Sequence, residues 1–209
     1  MWGKKGVGLL SHRTDTWYKL RDTAFDYQSH CLVQWKENIH VLNGNYHILG
    51  NSEVREYYQP NMNSWGAIQS DQTKSINRCI IFKGDLYVLS FKRNSEQKMY
   101  IYDANTNCWN EVAPPSAVQC NPCVVASNRH LYIIGGETDL GQCLSGSIRF
   151  DPTYNTCEDI ADINEARHSA FGAAMNGQVY IAGGISSGLQ FLSSCEMYDP
   201  SRNEWQLIR

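Results

Sequence analysis

Apolar positions in this chain fall in short runs of strand length, each closed by a polar turn, and the order of runs and turns recurs. Four copies open on Ser29-His30-Cys31-Leu32-Val33, Arg78-Cys79-Ile80-Ile81-Phe82, Cys123-Val124-Val125-Ala126 and Ser169-Ala170-Phe171-Gly172-Ala173-Ala174. Turns follow at Lys36-Glu37-Asn38, Lys83-Gly84-Asp85, Asn128-Arg129-His130 and Asn176-Gly177-Gln178. Asn-Gly and Gly-Asp tolerate positive φ, so these turns read as hairpins. A second alternating run comes next: Ile39-His40-Val41-Leu42, Leu86-Tyr87-Val88-Leu89, Leu131-Tyr132-Ile133-Ile134 and Val179-Tyr180-Ile181-Ala182. It ends in a glycine pair in two copies, Gly135-Gly136 and Gly183-Gly184.

Two registers run through all copies. Trp17, Trp65, Trp109, Cys157 and Trp205 are spaced by 48, 44, 48 and 48 residues, and seven positions before them stand Leu10, Tyr58, Tyr102, Phe150 and Tyr198. A fixed period of this size means one supersecondary unit copied in series, each unable to bury its apolar face alone. Four strands per repeat, joined by hairpins, predict the blade of a β-propeller, an all-β fold. The aromatic pairs are expected in the core between adjacent blades. Where Cys157 replaces tryptophan the interface should be packed more loosely.

Composition narrows the function classes. The 209 residues are 42% hydrophobic and 11% aromatic, which suits a packed core. A formal charge of −3 gives no basic surplus for nucleic acid or an anionic membrane surface. No apolar run approaches the ~20 residues of a membrane helix. Met1 to Leu10 lacks the apolar stretch of a signal peptide, and no Asn-x-Ser/Thr acceptor occurs. Eight cysteines fall largely at strand positions rather than in a spaced framework, so free thiols in a reducing, cytoplasmic setting are expected.

Gly135-Gly136 followed by Phe150-Asp151-Pro152, and Gly183-Gly184 followed by Tyr198-Asp199-Pro200 and Trp205, resemble the kelch repeat. The rival WD40 propeller would show Gly-His and Trp-Asp, and neither appears. By this alignment 1–20 supply the last two strands of a blade, and 21–67, 68–111, 112–159 and 160–209 are repeats, the second degenerate at Ser90-Phe91. Four and a half blades leave open edges, so a portion of a six-bladed propeller is expected, with closure as a four-bladed ring the alternative.

The repeat style is similar to that of the kelch-like family. The resemblance implies a propeller that selects a protein or peptide substrate, while BTB and BACK regions, absent from these residues, recruit a cullin-3 ubiquitin ligase. A cytoskeletal or actin-associated scaffold without a ubiquitin role is the alternative. By the same resemblance, the binding face is made by the loops after each second strand and before each first strand. Its candidate residues are Tyr27, Tyr46, His47, Asn77, Arg78, Lys92, Arg93, Asn121, Arg167 and His168. Arginine offers bidentate bonds to carboxylate or phosphate and tyrosine rigid contact area. Arg78 and Arg167 both stand at the entry to a first strand, where the resemblance implies ligand arginines; a solvated loop charge or a strand-end salt bridge is the alternative.

Catalysis finds little support. Cys120-Asn121-Pro122-Cys123 is a bare Cys-x-x-Cys with no second pair at zinc spacing. The six histidines pair with no nucleophile at a repeatable offset, and His40 takes the place of Tyr87, Tyr132 and Tyr180. The glycine pairs close strands rather than opening a phosphate-binding helix. The expected function is therefore binding without a cofactor.

Overall fold

The computed structural model describes residues 7–11, 13–23, 31–42, 55–68, 78–90, 97–106, 108–115, 120–127 and 129–208. Every extended element in them is a strand. β1 (Gly8–Ser11) and β2 (Thr16–Lys19) pair as a two-stranded ribbon. The first four-stranded blade is β3 (Cys31–Trp35), β4 (Asn38–Leu42), β5 (Arg55–Gln59) and β6 (Ser64–Ile68). The second is β7 (Arg78–Phe82), β8 (Asp85–Ser90), β9 (Lys98–Asp103) and β10 (Cys108–Val112). The third is β11 (Cys123–Ala126), β12 (Leu131–Glu137), β13 (Cys143–Asp151) and β14 (Thr156–Ile160). In the fourth, β15 (Phe171–Met175) and β16 (Gln178–Ala182) are followed by a small ribbon, β17 (Ile185–Ser186) and β18 (Gln190–Phe191). β19 (Cys195–Asp199) and β20 (Glu204–Ile208) complete that blade.

The seven-residue spacing of the sequence is the length of one hairpin. Leu10, Tyr58, Tyr102, Phe150 and Tyr198 stand directly opposite Trp17, Trp65, Trp109, Cys157 and Trp205. The three tyrosine–tryptophan pairs of the full blades hold their rings 5.1, 4.9 and 5.2 Å apart. The corner is turned by a residue in the left-handed region: Asp15, Asn63, Asn155 and Asn203, with φ of 51°, 45°, 51° and 52°. Asparagine and aspartate tolerate that region best among residues with a Cβ. The tyrosine hydroxyl then donates to the corner asparagine, Tyr58 to Asn63 at 2.9 Å and Tyr198 to Asn203 at 2.8 Å.

Tryptophan does more than fill space. Trp205 Nε1 donates to the Ala161 carbonyl at 2.8 Å, just past the last strand of the preceding blade, and Trp65 Nε1 donates likewise to Arg21 at 2.8 Å. Asn203 Oδ1 also accepts from the Ala161 backbone N–H. Each such hairpin is stapled to the segment that leaves the blade before it. One expectation needs correction: Trp17, on the lone ribbon, is 66% exposed rather than buried. β12 closes on Gly135-Gly136 and Glu137 across a register shift.

The inner strands β3, β7, β11 and β15 lie side by side in that order. Three apolar clusters fill the spaces between successive blades: around Leu42, Leu86 and Trp109, around Phe82, Leu89 and Phe150, and around Val125, Ile134, Tyr198 and Trp205. The face of the third blade that meets the fourth carries Cys123, Val125, Tyr132, Ile134 and Ile160, all buried. Forty-eight residues on, the fourth blade presents Phe171, Ala173, Tyr180, Ala182 and Ile208. Here Phe171 is 82% exposed, and Met175 and Ile208 are exposed beside it. Among the described residues, nothing covers this face.

Candidate functional site

The candidate face is the edge of the blades where the chain enters each inner strand and leaves each second strand. Its best-defined stretch joins the third and fourth blades. Before β11, Cys120 and Glu137 exchange backbone bonds of 3.0 and 2.9 Å, so the lead-in is zipped to the end of β12. Asn121 turns the chain at φ 50° and its Nδ2 donates to Glu137 Oε1 at 2.9 Å. The Ser169 N–H donates to the Asn121 carbonyl at 2.9 Å, which ties the two lead-ins together. Before β15, His168 and Ile185 exchange backbone bonds of 3.0 Å, repeating the same zip one blade later. The His168 ring lies 3.0 Å from Ser169 Oγ through Nδ1.

Arg167 does not act as a surface arginine. Its side chain is 0% exposed and paired with the equally buried Glu196 at 2.8 Å. It also donates to the carbonyls of Gly183, Ser194 and Glu165 and to Ser194 Oγ, at 3.0 to 3.1 Å. Glu196 in turn accepts from Asn164 and from the Glu165 N–H. Every polar atom of the pair is engaged, which is what a buried ion pair requires. The Arg167 backbone crosses to the third blade, accepting from the Gly136 N–H at 2.9 Å and donating to Leu144 at 3.2 Å. Arg167 is thus the clamp that fixes the lead-in, its guanidinium enclosed rather than facing solvent as a ligand arginine would.

The glycine pairs exist because of these crossings. A Cβ on Gly135 would sit 2.4 Å from the Arg167 carbonyl, and one on Gly184 would sit 2.7 Å from that of His168. Both residues have positive φ, 60° and 94°. Backbone approach and conformation alike demand glycine.

Arg78 differs in register from Arg167. It is the first residue of β7, aligned with Cys123 and Phe171, whereas Arg167 precedes β15 by four positions. Its Nε donates to the Pro122 carbonyl at 3.2 Å, across to the third blade. Arg78, Asn121 and His168 are half-buried at this rim. Tyr27, Tyr46, His47, Asn77, Lys92 and Arg93 lie outside the described residues. Glu196 was missed by reasoning from loops, because it sits on a strand. The signal available was a glutamate two positions before the repeat tyrosine in two blades, Glu56 and Glu196, both buried.

Other groups with chemical potential are built into the core. Burial pushes the Cys123 thiol up to about 12, and Cys120 Sγ lies 3.8 Å from Asp139. Both are buried free thiols. His40 is buried, stacked on Tyr57 and edge-on to Trp35, and burial lowers its pKa to about 4. At neutral pH it is an uncharged aromatic in the place of the tyrosines of other blades.

The kelch motif matches residues 120–164 and 166–209, the third and fourth blades with their lead-ins. The third and fourth blades of this propeller are kelch repeats. Its repeats are similar to those of kelch-like protein 13 of Mus musculus, 28% identical over 61% of this chain and 19% of that protein. They are also similar to kelch-like protein 23 of Homo sapiens, 28% identical over 79% of this chain and 32% of that protein. An F-box/kelch-repeat protein of Arabidopsis thaliana is 30% identical over 38% of this chain and 21% of its own length. The solved structure of YjhT superposes with a TM-score of 0.78 at 15% identity, covering 99% of this chain and 78% of that one, a likeness of fold. The kelch repeats here span between a fifth and a third of the length of the curated relatives they match.

Proposed function

We propose that this propeller binds a protein substrate at its loop face and serves as the substrate-reading module of a cullin-3 ubiquitin ligase adaptor. The observation that carries the reading is the similarity to kelch-like proteins across the blades. The rim supports it physically. Asn121 and His168 are held on lead-ins zipped to neighbouring strands, and rigid presentation lowers the entropy lost on binding. The candidates Tyr27, Tyr46, His47, Asn77, Lys92 and Arg93 would extend this rim around the first two blades. In the same reading the open face around Phe171 packs against a further blade of a longer, six-bladed propeller, because the equivalent face of the third blade is covered by the fourth.

The adaptor role is tested by co-precipitation from cells expressing the full product of the gene. Recovery of cullin-3 with that product, and its absence when residues 1–209 are expressed alone, supports the adaptor. A product that retains a loop-face partner but recovers no cullin-3 is instead a scaffold.

A further inference from the structure

A cleft of about 910 Å³ opens on the edge opposite the loop face, among the first-to-second strand turns of the second, third and fourth blades. Its origin is legible in the repeat. Ser127 bonds to His130 across its turn as Phe82 pairs with Asp85, so Ser127 occupies the position that a phenylalanine fills in the second blade. Arg149, opposite Tyr132, stands where Ile101 stands opposite Tyr87. Facing them, the fourth blade offers Ala174 as the third blade offers Ala126 to the second, so no larger side chain makes up the lost volume. Two apolar fillers of one interface are therefore absent from the next, and a polar side chain enters the space.

The charges around this space share one sign. Lys83, Arg129 and Arg149 line it with His130, and no carboxylate does, although the chain as a whole carries −3. Glu158 engages Arg149 through Nε at 2.8 Å and Nη2 at 2.5 Å from outside the lining, and Lys83 lies 3.8 Å from Asp151 and donates to Thr153 Oγ1 at 3.1 Å. Arg129 is exposed and forms no ion pair among the described residues. Burial and then Arg149 hold the His130 imidazole below the ordinary histidine range, against the opposite pull of Asp151 and Glu158. Cations converging on a concave, partly apolar space favour an anionic group, most of all through the planar donors of arginine.

We propose that this cleft is a second ligand site, separate from the loop face, that accepts an acidic side chain of a peptide, its carboxylate or phosphoryl group seated among Lys83, Arg129 and Arg149. The methyl and methylene groups of Ala174 and Met175 receive the stem of that side chain.

Fluorescence anisotropy of the intact chain tests this with three dye-labelled hexapeptides, one of glutamate, one carrying a phosphoserine pair and one of lysine. The parent binds one or both acidic probes and not the lysine probe; whichever acidic probe binds tighter identifies the source of the anion. Two variants report independently. Lys83→Gln with Arg129→Glu removes charge, and Ser127→Phe refills the space as Phe82 does in the second blade. Each lowers affinity by at least about tenfold, and Ser127→Phe leaves the melting temperature unchanged or raised. No acidic binding by the parent, equal binding of the lysine probe, or binding that survives both variants overturns the site.

Discussion

At the scale of single residues, the structure separates two arginines that look alike in sequence. Arg167 is enclosed with Glu196, so removing either partner strands a charge in the core. Arg167→Ala or Glu196→Ala is expected to cost ~3–5 kcal/mol, while the double change Arg167→Met with Glu196→Leu costs less than the sum of the two. Urea unfolding of the three variants checks this. His40 makes a second prediction. Its imidazole is neutral in the fold down to about pH 4 but protonates near 6.5 when the chain unfolds. The unfolded state therefore binds more protons across that window, and stability falls as pH drops from 6.5 toward 4, by on the order of 2–3 kcal/mol. His40→Tyr, the residue of the other blades, should flatten that part of the curve, as measured by melting at a series of pH values.

At the scale of the element, the tryptophan hairpin joins neighbours in the array. Trp205→Phe keeps a ring and loses the bond to Ala161, for about 1 kcal/mol or somewhat more, whereas Trp205→Ala also leaves a cavity and costs ~3–5 kcal/mol. Cys157 is the exposed position where this staple is missing. Both observed staples reach back 44 residues, which places the Ala113 carbonyl within the pattern for Cys157→Trp. That variant is expected to raise the melting temperature, by calorimetry. Hairpins and blade order were legible because strand alternation and turn chemistry act within a few residues. The staple was not, because its acceptor is a backbone carbonyl with no sequence signature. Arg167 was misread for a related reason: position near a strand start shows that a side chain is at an edge, but only its partner, Glu196 on β19, shows that it turns inward. The cleft beneath Ser127 was hidden until strand pairing aligned it with Phe82.

At the scale of the whole molecule, four blades present two chemically different edges. In the third and fourth blades the loop edge is built of lead-ins zipped to the chain that leaves the second strand, with half-buried Arg78, Asn121 and His168 at the described rim. The turn edge holds the basic cleft. Both are consistent with a binding protein whose specificity resides at its edges, while the interior between blades serves cohesion. The measurement that most directly tests the central claim is quantitative affinity capture from cell extract. It compares the parent with an Arg78→Ala, Asn121→Ala, His168→Ala variant and with the Lys83→Gln, Arg129→Glu variant, all shown to melt as the parent does. A specific partner lost from the loop-edge variant and retained by the turn-edge variant is the predicted result. A partner held equally by the parent and the loop-edge variant would contradict the assignment of substrate reading to that face.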